Sequence, residues 1–274
     1  MNNFINQLYE DLSSKSFDFF NAKPFPYIIL DNFLNDDFYE LVLQEVEHQK
    51  TLPMGRTFSS SLEKEKSISL NTRLPQTLKD LVGYLNTDYW VKNLSNLSKI
   101  RNLVGTKNGN TELANYHEMR HSGFLGSHVD HASEPLLGLP HVLNIVLYLS
   151  SDWLPEYGGE TIFFDRKGKQ ELARVSYKPN RAVIFLHTPY SFHGVSEISD
   201  SAPVPRRTLY VDYYSQTFNP YKDMKLPFPN KWFDHPTTFV FKNKLRYFLP
   251  KNWLYLKLLA KYKINNLISL FKTY

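Results

Sequence analysis

From about Leu113 the hydrophobic period changes, and that change limits the possible fold more than any other feature. The runs LANYHEM, VLNIVLYLS, ETIFFD, ARVSYK, RAVIFL and RTLYVDYYS follow one another closely, separated by Gly, Pro, Asn and Asp clusters. β-Branched and aromatic residues in short runs suit a pleated, half-buried surface. Aromatic content of 15%, with 18 Tyr and 20 Phe, supports a strand-rich core. No helical pattern separates these runs, so the expectation is an antiparallel sandwich or barrel and not a doubly wound sheet.

Upstream the period is helical. Phe4, Ile5, Leu8, Tyr9 and Leu12 stand at helical spacing and predict an amphipathic opening helix. Tyr27 to Leu30 reads as a buried strand. Asn35 is a cap for the helix DDFYELVLQEVEHQ, with acidic residues in its first turn. Residues 51 to 72 are polar and mixed and predict a loop, and LPQTLKDLVGYLNTDYWVKNLSNL predicts one or two helices. The Pro-rich stretch 226 to 236 marks the exit from the core. Beyond it NWLYLKLLAKYKINNLISLF predicts a basic amphipathic helix. The expected organisation is one domain over 1–225, its β core at about 113–216, and a helical extension over 226–274.

The chain has no cysteine, so disulfides, thiolate zinc sites, iron–sulfur ligation and cysteine nucleophiles are excluded. Any metal must be held by His, Asp or Glu. The N-terminus lacks a basic start with an apolar run, and no window approaches the ~20 apolar residues of a spanning helix. A soluble cytoplasmic protein is expected. The net charge of +5 is concentrated at one end: after Asp234 there are eight basic residues and no acidic one. The remaining 24 basic residues are outnumbered by 27 acidic ones. Nucleic-acid binding by the core is therefore not expected. The tail, with Lys257, Lys261 and Lys263 beside Trp253, Leu254, Leu258 and Tyr262, has two readings. It is a helix packed on the core with its lysines in water, or a surface for membranes or an acidic partner.

The chemistry centres on GSHVDH. In an extended segment His128 and Asp130 project to one side while Val129 packs on the other. An imidazole nitrogen and a carboxylate oxygen can then reach one ion. SFHGV supplies His193 as third ligand; His187, six residues earlier, competes but ends an apolar strand. Two His and one carboxylate on one face of an ion leave three positions open, the facial triad of non-haem Fe(II) oxygenases. His121, His131 and His141 are expected as loop histidines, within reach of substrate.

In order along the chain, NYHEMRHSGFLGSHVDH, LNIVLYLSSDWLPEYGGET, NRAVIFLHTPYSFHGV and PRRTLYVDYYS resemble the prolyl 4-hydroxylase-like branch of the 2-oxoglutarate/Fe(II) dioxygenases. PFPYIILDNFL is similar to the family's entry strand. The resemblance implies a double-stranded β-helix (jelly roll), with helices supporting it from the N-terminal side, and His128, Asp130 and His193 as ligands. It implies Fe(II), 2-oxoglutarate and O2 as the cofactor set, with ascorbate as an accessory reductant. Arg206 is expected on the distal carboxylate of 2-oxoglutarate, with the Thr208 hydroxyl beside it, because a guanidinium fork matches a carboxylate. Arg207 faces the other way if the strand is regular; a bulge after Pro205 would exchange the two. The basic residue more often lies nearer the distal His in this family than here. Tyr116 and Tyr148 resemble pocket tyrosines, with Asn144 beside them, or else are core aromatics. Gly158, Gly159 and Glu160 are expected to form a turn with positive φ.

The implied reaction is hydroxylation of a substrate C–H bond with release of succinate and CO2. The likeness favours peptidyl proline, and the particular version of the motifs also resembles bacterial members associated with surface polysaccharides, so a saccharide or nucleotide-sugar is the second substrate class. Residues 51 to 75 and 131 to 141 are expected to frame the entrance. Three other classes compete: a zinc hydrolase or cupin-like isomerase on the same ligands, a non-catalytic metal-binding jelly roll, and a nucleic-acid binder acting through its tail.

Overall fold

The computed structural model describes residues 4–48, 56–70, 74–105, 114–134, 138–218, 237–242 and 244–247. One long strand organises the fold. Strand β5 (Ala114–Val129) is shared by two halves of a nearly closed antiparallel barrel. Its first half pairs with β11 (Arg206–Ser215), and Arg206 lies opposite Met119. Its second half pairs with β10 (His193–Val195), and His193 lies opposite His128. Between them the chain bends at Ser122, which takes φ of 57°. At Gly123 a Cβ would meet the Arg120 carbonyl oxygen at 2.5 Å, so glycine lets the strand fold back on itself.

The larger wall runs from β1 (Tyr27–Leu30) through β9 (Ala182–Leu186) and β6 (His141–Tyr148) to β11 and β5. The smaller wall adds β7 (Thr161–Phe164) and β8 (Glu171–Val175) beyond β10. This is the double-stranded β-helix expected from the sequence. Strand β4 (Leu103–Val104) extends the end of β11.

Four helices cover the outer face of the larger wall: α1 (Ser16–Asn21), α2 (Asp36–His48), α3 (Gln76–Leu85) and α4 (Asp88–Ser98). Leu78, Leu81, Leu85, Leu94 and Leu97 pack there against Leu143, Ile145, Leu147, Leu209 and Val211. Each buried aliphatic side chain contributes about 1.5–3 kcal/mol. The strand positions between these point inward, as a period of two requires. At the closed end the interior is filled by Phe25, Phe163, Phe185, Tyr148, Tyr177 and Trp153. The Asn35 side chain accepts from the Asp37 amide at 3.1 Å, the cap expected for α2.

Four sequence expectations differ. Strand β1 is an edge strand buried only at Leu30, with Ile29 38% exposed. The opening segment is not one helix: Gln7–Tyr9 and Ser13–Lys15 are 3-10 turns, Ile5 bridges Leu34, and α-helix begins only at Ser16. Ile5, Tyr9 and Leu12 are buried while Leu8 is 72% exposed, which a continuous apolar stripe would not give. Residues 56–70 are no loop but a hairpin, β2 (Arg56–Phe58) with β3 (Glu63–Leu70), which adds to the free edge of β5. EKEKSISL hides this strand because charges occupy the positions where an apolar alternation would show. Within the stretch assigned to a helical extension, β12 (Thr238–Phe241) and β13 (Lys244–Tyr247) form a hairpin joined to the second half of β5. The basic helix beyond residue 250 and the Pro-rich exit lie outside the described residues. Among the described residues no helix is long and apolar enough to cross a membrane.

Candidate active site

Between the two walls lies a cavity of about 160 Å³, similar to the ~150 Å³ engineered cavities that admit a benzene-sized guest. Strand β11 sends Arg206, Thr208, Tyr210 and Asp212 into it, every second residue. Strand β5 contributes His117 and Met119 from the larger wall and His128 from the smaller one.

His128, Asp130 and His193 converge, with one ligand atom from each lying within 4.8 Å of the others. Cross-strand pairing of β5 with β10 puts the two imidazoles side by side, centroids 4.3 Å apart. The Nε2 atom of each is 3.3 Å from an Asp130 carboxylate oxygen. Nδ1 of His128 donates to the Gly126 carbonyl at 2.9 Å, and Nδ1 of His193 to that of Ser191 at 3.0 Å. A carbonyl only accepts, so Nδ1 carries a proton and Nε2 is the ring atom left for a metal. Burial pushes His128 down, and His193 beside it adds to this, which keeps the ring neutral. Burial alone would raise Asp130, but the His193 and His128 rings outweigh it and hold the carboxyl well below its usual range. Two imidazoles and one buried carboxylate fit a divalent ion.

Asp130 is braced from behind. Tyr210 donates its hydroxyl to the carboxylate at 2.5 Å and the Asn144 amide donates to it at 3.0 Å. Asn144 also donates to the Tyr210 hydroxyl. Asn144, expected beside Tyr116 and Tyr148, stands against Asp130. Tyr210 was not anticipated, although the alternation Arg206, Thr208, Tyr210, Asp212 in RRTLYVDYYS was sufficient to find it.

Arg206 is 3% exposed, and its guanidinium lies over the rings of Tyr148 and Tyr177 at 5.3 and 5.1 Å. Its Nε donates to the Gly159 carbonyl at 2.7 Å and a terminal nitrogen to the Thr161 hydroxyl at 3.4 Å. Among the described residues it makes no ion pair with a carboxylate. A buried cation held only by neutral acceptors is costly, and an anion in the cavity removes that cost. Arg207 faces the helices and stands 3.6 Å from both Glu47 and Glu118. The strand has no bulge between Arg206 and Tyr213, so the two arginines keep the orientation a regular strand predicts. Gly158 and Gly159 form the expected turn, with φ of 69° and 74°. A Cβ on Gly159 would come within 3.0 Å of the Arg206 side chain.

Other expected residues lie elsewhere. Tyr116 points to the helix side, fully buried, and donates to Glu118 at 2.9 Å. A one-residue register separates it from the cavity, where His117 stands, cross-strand to Thr208 and stacked on Tyr210 at 5.8 Å. The His117 Nε2 atom is buried and has no hydrogen-bond partner among the described residues. Tyr148 lies beneath Arg206, its hydroxyl 2.6 Å from that of Thr161. His187 is not at the triad: it stacks on His141 at 4.1 Å. His141 lies 3.3 Å from Asp212, and His131 stacks on its other side at 4.8 Å. His141, on β6, and His187 are fully buried, whereas His131 lies outside the strands as expected, is half-buried and lines the cavity. His121 is exposed.

Residues 112–214 match the family model described as the 2OG-Fe(II) oxygenase superfamily. The chain carries a 2OG-Fe(II) oxygenase domain. Fe(II), 2-oxoglutarate and O2 are the cofactor set of such a domain, and the His-Asp-His cluster fits the iron. The fold is similar to a prolyl-4-hydroxylase from Pseudomonas putida, with TM-score 0.55 and 14% identity over 75% of this chain and 99% of that one. It is similar to a Trichoplax adhaerens prolyl hydroxylase in complex with a hypoxia inducible factor peptide fragment, with TM-score 0.51 and 15% identity over 76% and 91%. It is also similar to the epimerase SnoN in complex with Fe3+, α-ketoglutarate and nogalamycin RO, with TM-score 0.52 and 12% identity over 74% and 83%. No curated protein sequence matches the chain.

Proposed function

We propose that this oxygenase is a hydroxylase, converting a substrate C–H bond, 2-oxoglutarate and O2 into an alcohol, succinate and CO2. The observation that carries this is a buried His-Asp-His cluster with inward Nε2 atoms in the same cavity as a buried arginine that, among the described residues, makes no ion pair. His128, Asp130 and His193 hold the metal. The metal, when bound, supplies the redox chemistry that couples decarboxylation of the keto acid to substrate oxidation. Arg206 takes the far carboxylate of 2-oxoglutarate, with the Thr208 hydroxyl on the same face of β11. His117 offers Nε2 as a further polar contact in place of Tyr116. Tyr210 and Asn144 keep Asp130 ionised and aimed, and the aromatic floor excludes water from the arginine end.

The test is an anaerobic titration with Fe(II) and then 2-oxoglutarate, following the visible charge-transfer band of the chelated keto acid. The expected band is absent in Asp130→Ala and weakened in Arg206→Ala. A folded wild-type protein that gives no band at any concentration would leave a metal-binding module as the better reading.

For the substrate we propose peptidyl proline, supported by the likeness to prolyl hydroxylases. A saccharide is the second reading, favoured by Asp212 and His131 on the cavity wall, because a carboxylate beside an imidazole suits hydroxyl groups. Succinate formation stimulated by a proline peptide, or by a sugar, separates them. The basic segment after residue 250 is proposed to pack on the barrel. Co-sedimentation with anionic vesicles that is lost when residues 251 to 274 are removed would favour a membrane role instead.

A further inference from the structure

The metal ligand His128 is held on both sides by neighbouring strands. β10 and β12 pair with opposite edges of β5, placing His193, His128 and Phe239 in one cross-strand row. Side chains of such a row share one face of the sheet. The Phe239 ring lies against the His128 ring, centroids 5.1 Å apart and planes 25° apart, and both residues are almost fully buried. Gly126, two residues earlier on that face, keeps the approach open. A Cβ there would meet the Leu62 carbonyl oxygen at 2.9 Å and the Phe239 ring at 3.8 Å.

We infer that Phe239 is a positioning residue for the metal centre, so that a strand beyond the oxygenase match at 112–214 completes the site. The inference rests on the proposed role of His128 as a ligand. With His193 on one side, Phe239 on the other and Nδ1 on the Gly126 carbonyl, the imidazole can rotate about neither its χ1 nor its χ2 bond. Nε2 then meets the ion without first giving up rotamer freedom. The ring also keeps water off one face of the ligand. Groups that orient a ligand without touching the metal typically carry ~10–100-fold of its affinity.

The experiment titrates the full-length protein with Co(II), read from its d–d absorption, in wild type, Asp130→Ala, Phe239→Ala, Phe239→Leu, Phe239→Tyr and Val240→Ala. Phe239→Ala is expected to weaken Co(II) binding about tenfold or more. Phe239→Tyr, which retains the ring, should bind as wild type does, and so should Val240→Ala on the opposite face of β12. Unchanged affinity in Phe239→Ala overturns the inference, as does an equal loss in Phe239→Tyr. Should Phe239→Ala not fold, Phe239→Leu decides: weaker binding at a wild-type melting temperature supports a role for the ring, and wild-type affinity overturns it. Failure of the underlying reading looks different, since Co(II) binding by wild type would then be untouched by Asp130→Ala.

Discussion

On the inner face of β11 stand Arg206, Thr208, Tyr210 and Asp212; on the outer face stand Arg207, Leu209, Val211 and Tyr213. The two faces carry related residue types and put them to different uses, and the available partners decide which. Arg207 finds Glu47 and Glu118, so its charge is spent on holding the helix layer to the sheet. Among the described residues Arg206 finds a carbonyl, a hydroxyl and two aromatic rings but no ion pair, which supports the proposed anchoring of a ligand. The Tyr213 hydroxyl donates to the Leu85 carbonyl of α3 at 2.7 Å, while that of Tyr210 donates to Asp130. An arginine or tyrosine in this strand therefore faces the cavity or the helix layer according to the parity of its position. Each neighbouring pair makes a matched experiment.

The largest difference is expected between the arginines. Arg206→Leu removes one partner of a buried charge pair and should weaken 2-oxoglutarate binding about a thousandfold, or about 4 kcal/mol. Arg207→Leu should leave that affinity within about threefold and lower stability instead, because Glu47 and Glu118 lose their cation. Anaerobic titration and urea unfolding of both variants check this. Equal losses of affinity would show that parity does not sort the two faces.

The next contrast is Leu209→Ala against Thr208→Val. Leu209 is 1% exposed beneath the helices, and its truncation should cost about 3 kcal/mol of stability. Thr208→Val preserves shape and removes a hydroxyl from the cavity wall, so the midpoint of unfolding should hold while 2-oxoglutarate affinity falls about fivefold, or ~1 kcal/mol. A Thr208→Val variant that binds 2-oxoglutarate like wild type would remove Thr208 from the anchor. Tyr210→Phe against Tyr213→Phe is smaller again. The first should weaken Fe(II) binding about tenfold through Asp130. The second should cost ~1 kcal/mol of stability and leave Fe(II) binding alone. Metal competition and thermal melts separate the outcomes.

Much of this was legible in the chain. The period-two runs after Leu113 specified a barrel, H-x-D pointed to two members of the His-Asp-His cluster, and the parity of RRTLYVDYYS specified which arginine faces inward. What escaped has physical causes. β3 is an added edge strand written in charges, so no apolar alternation announced it, and Glu65 at φ 51° breaks its register. β12 lies in a stretch whose composition suggested an extension, and its importance comes from a partner more than a hundred residues away. Local spacing does not encode such a pairing. The opening segment has apolar residues at helical intervals, yet Ile5 is committed to a bridge with Leu34.

Tyr116 and His117 are the sharpest test of the parity rule, because here resemblance and register disagree. The family likeness favoured the tyrosine, but pairing of β5 with β11 sets His117 against Thr208 and Tyr116 against Leu209. Leu209 is an outer-face residue, so Tyr116 must be one too, and its hydroxyl is engaged by Glu118. Tyr116→Phe is expected to leave 2-oxoglutarate affinity unchanged and to cost ~1 kcal/mol of stability for one hydrogen bond. His117→Ala removes a cavity donor and should weaken 2-oxoglutarate about threefold, or ~0.7 kcal/mol, the smallest effect in the series. The same anaerobic titration measures both variants. If Tyr116→Phe were the variant to lose affinity, β5 would have to slip by one residue. That slip would also bury Glu118 and Arg120 in the cavity and turn Met119 toward the helices, a rearrangement that a charged barrel interior would not tolerate.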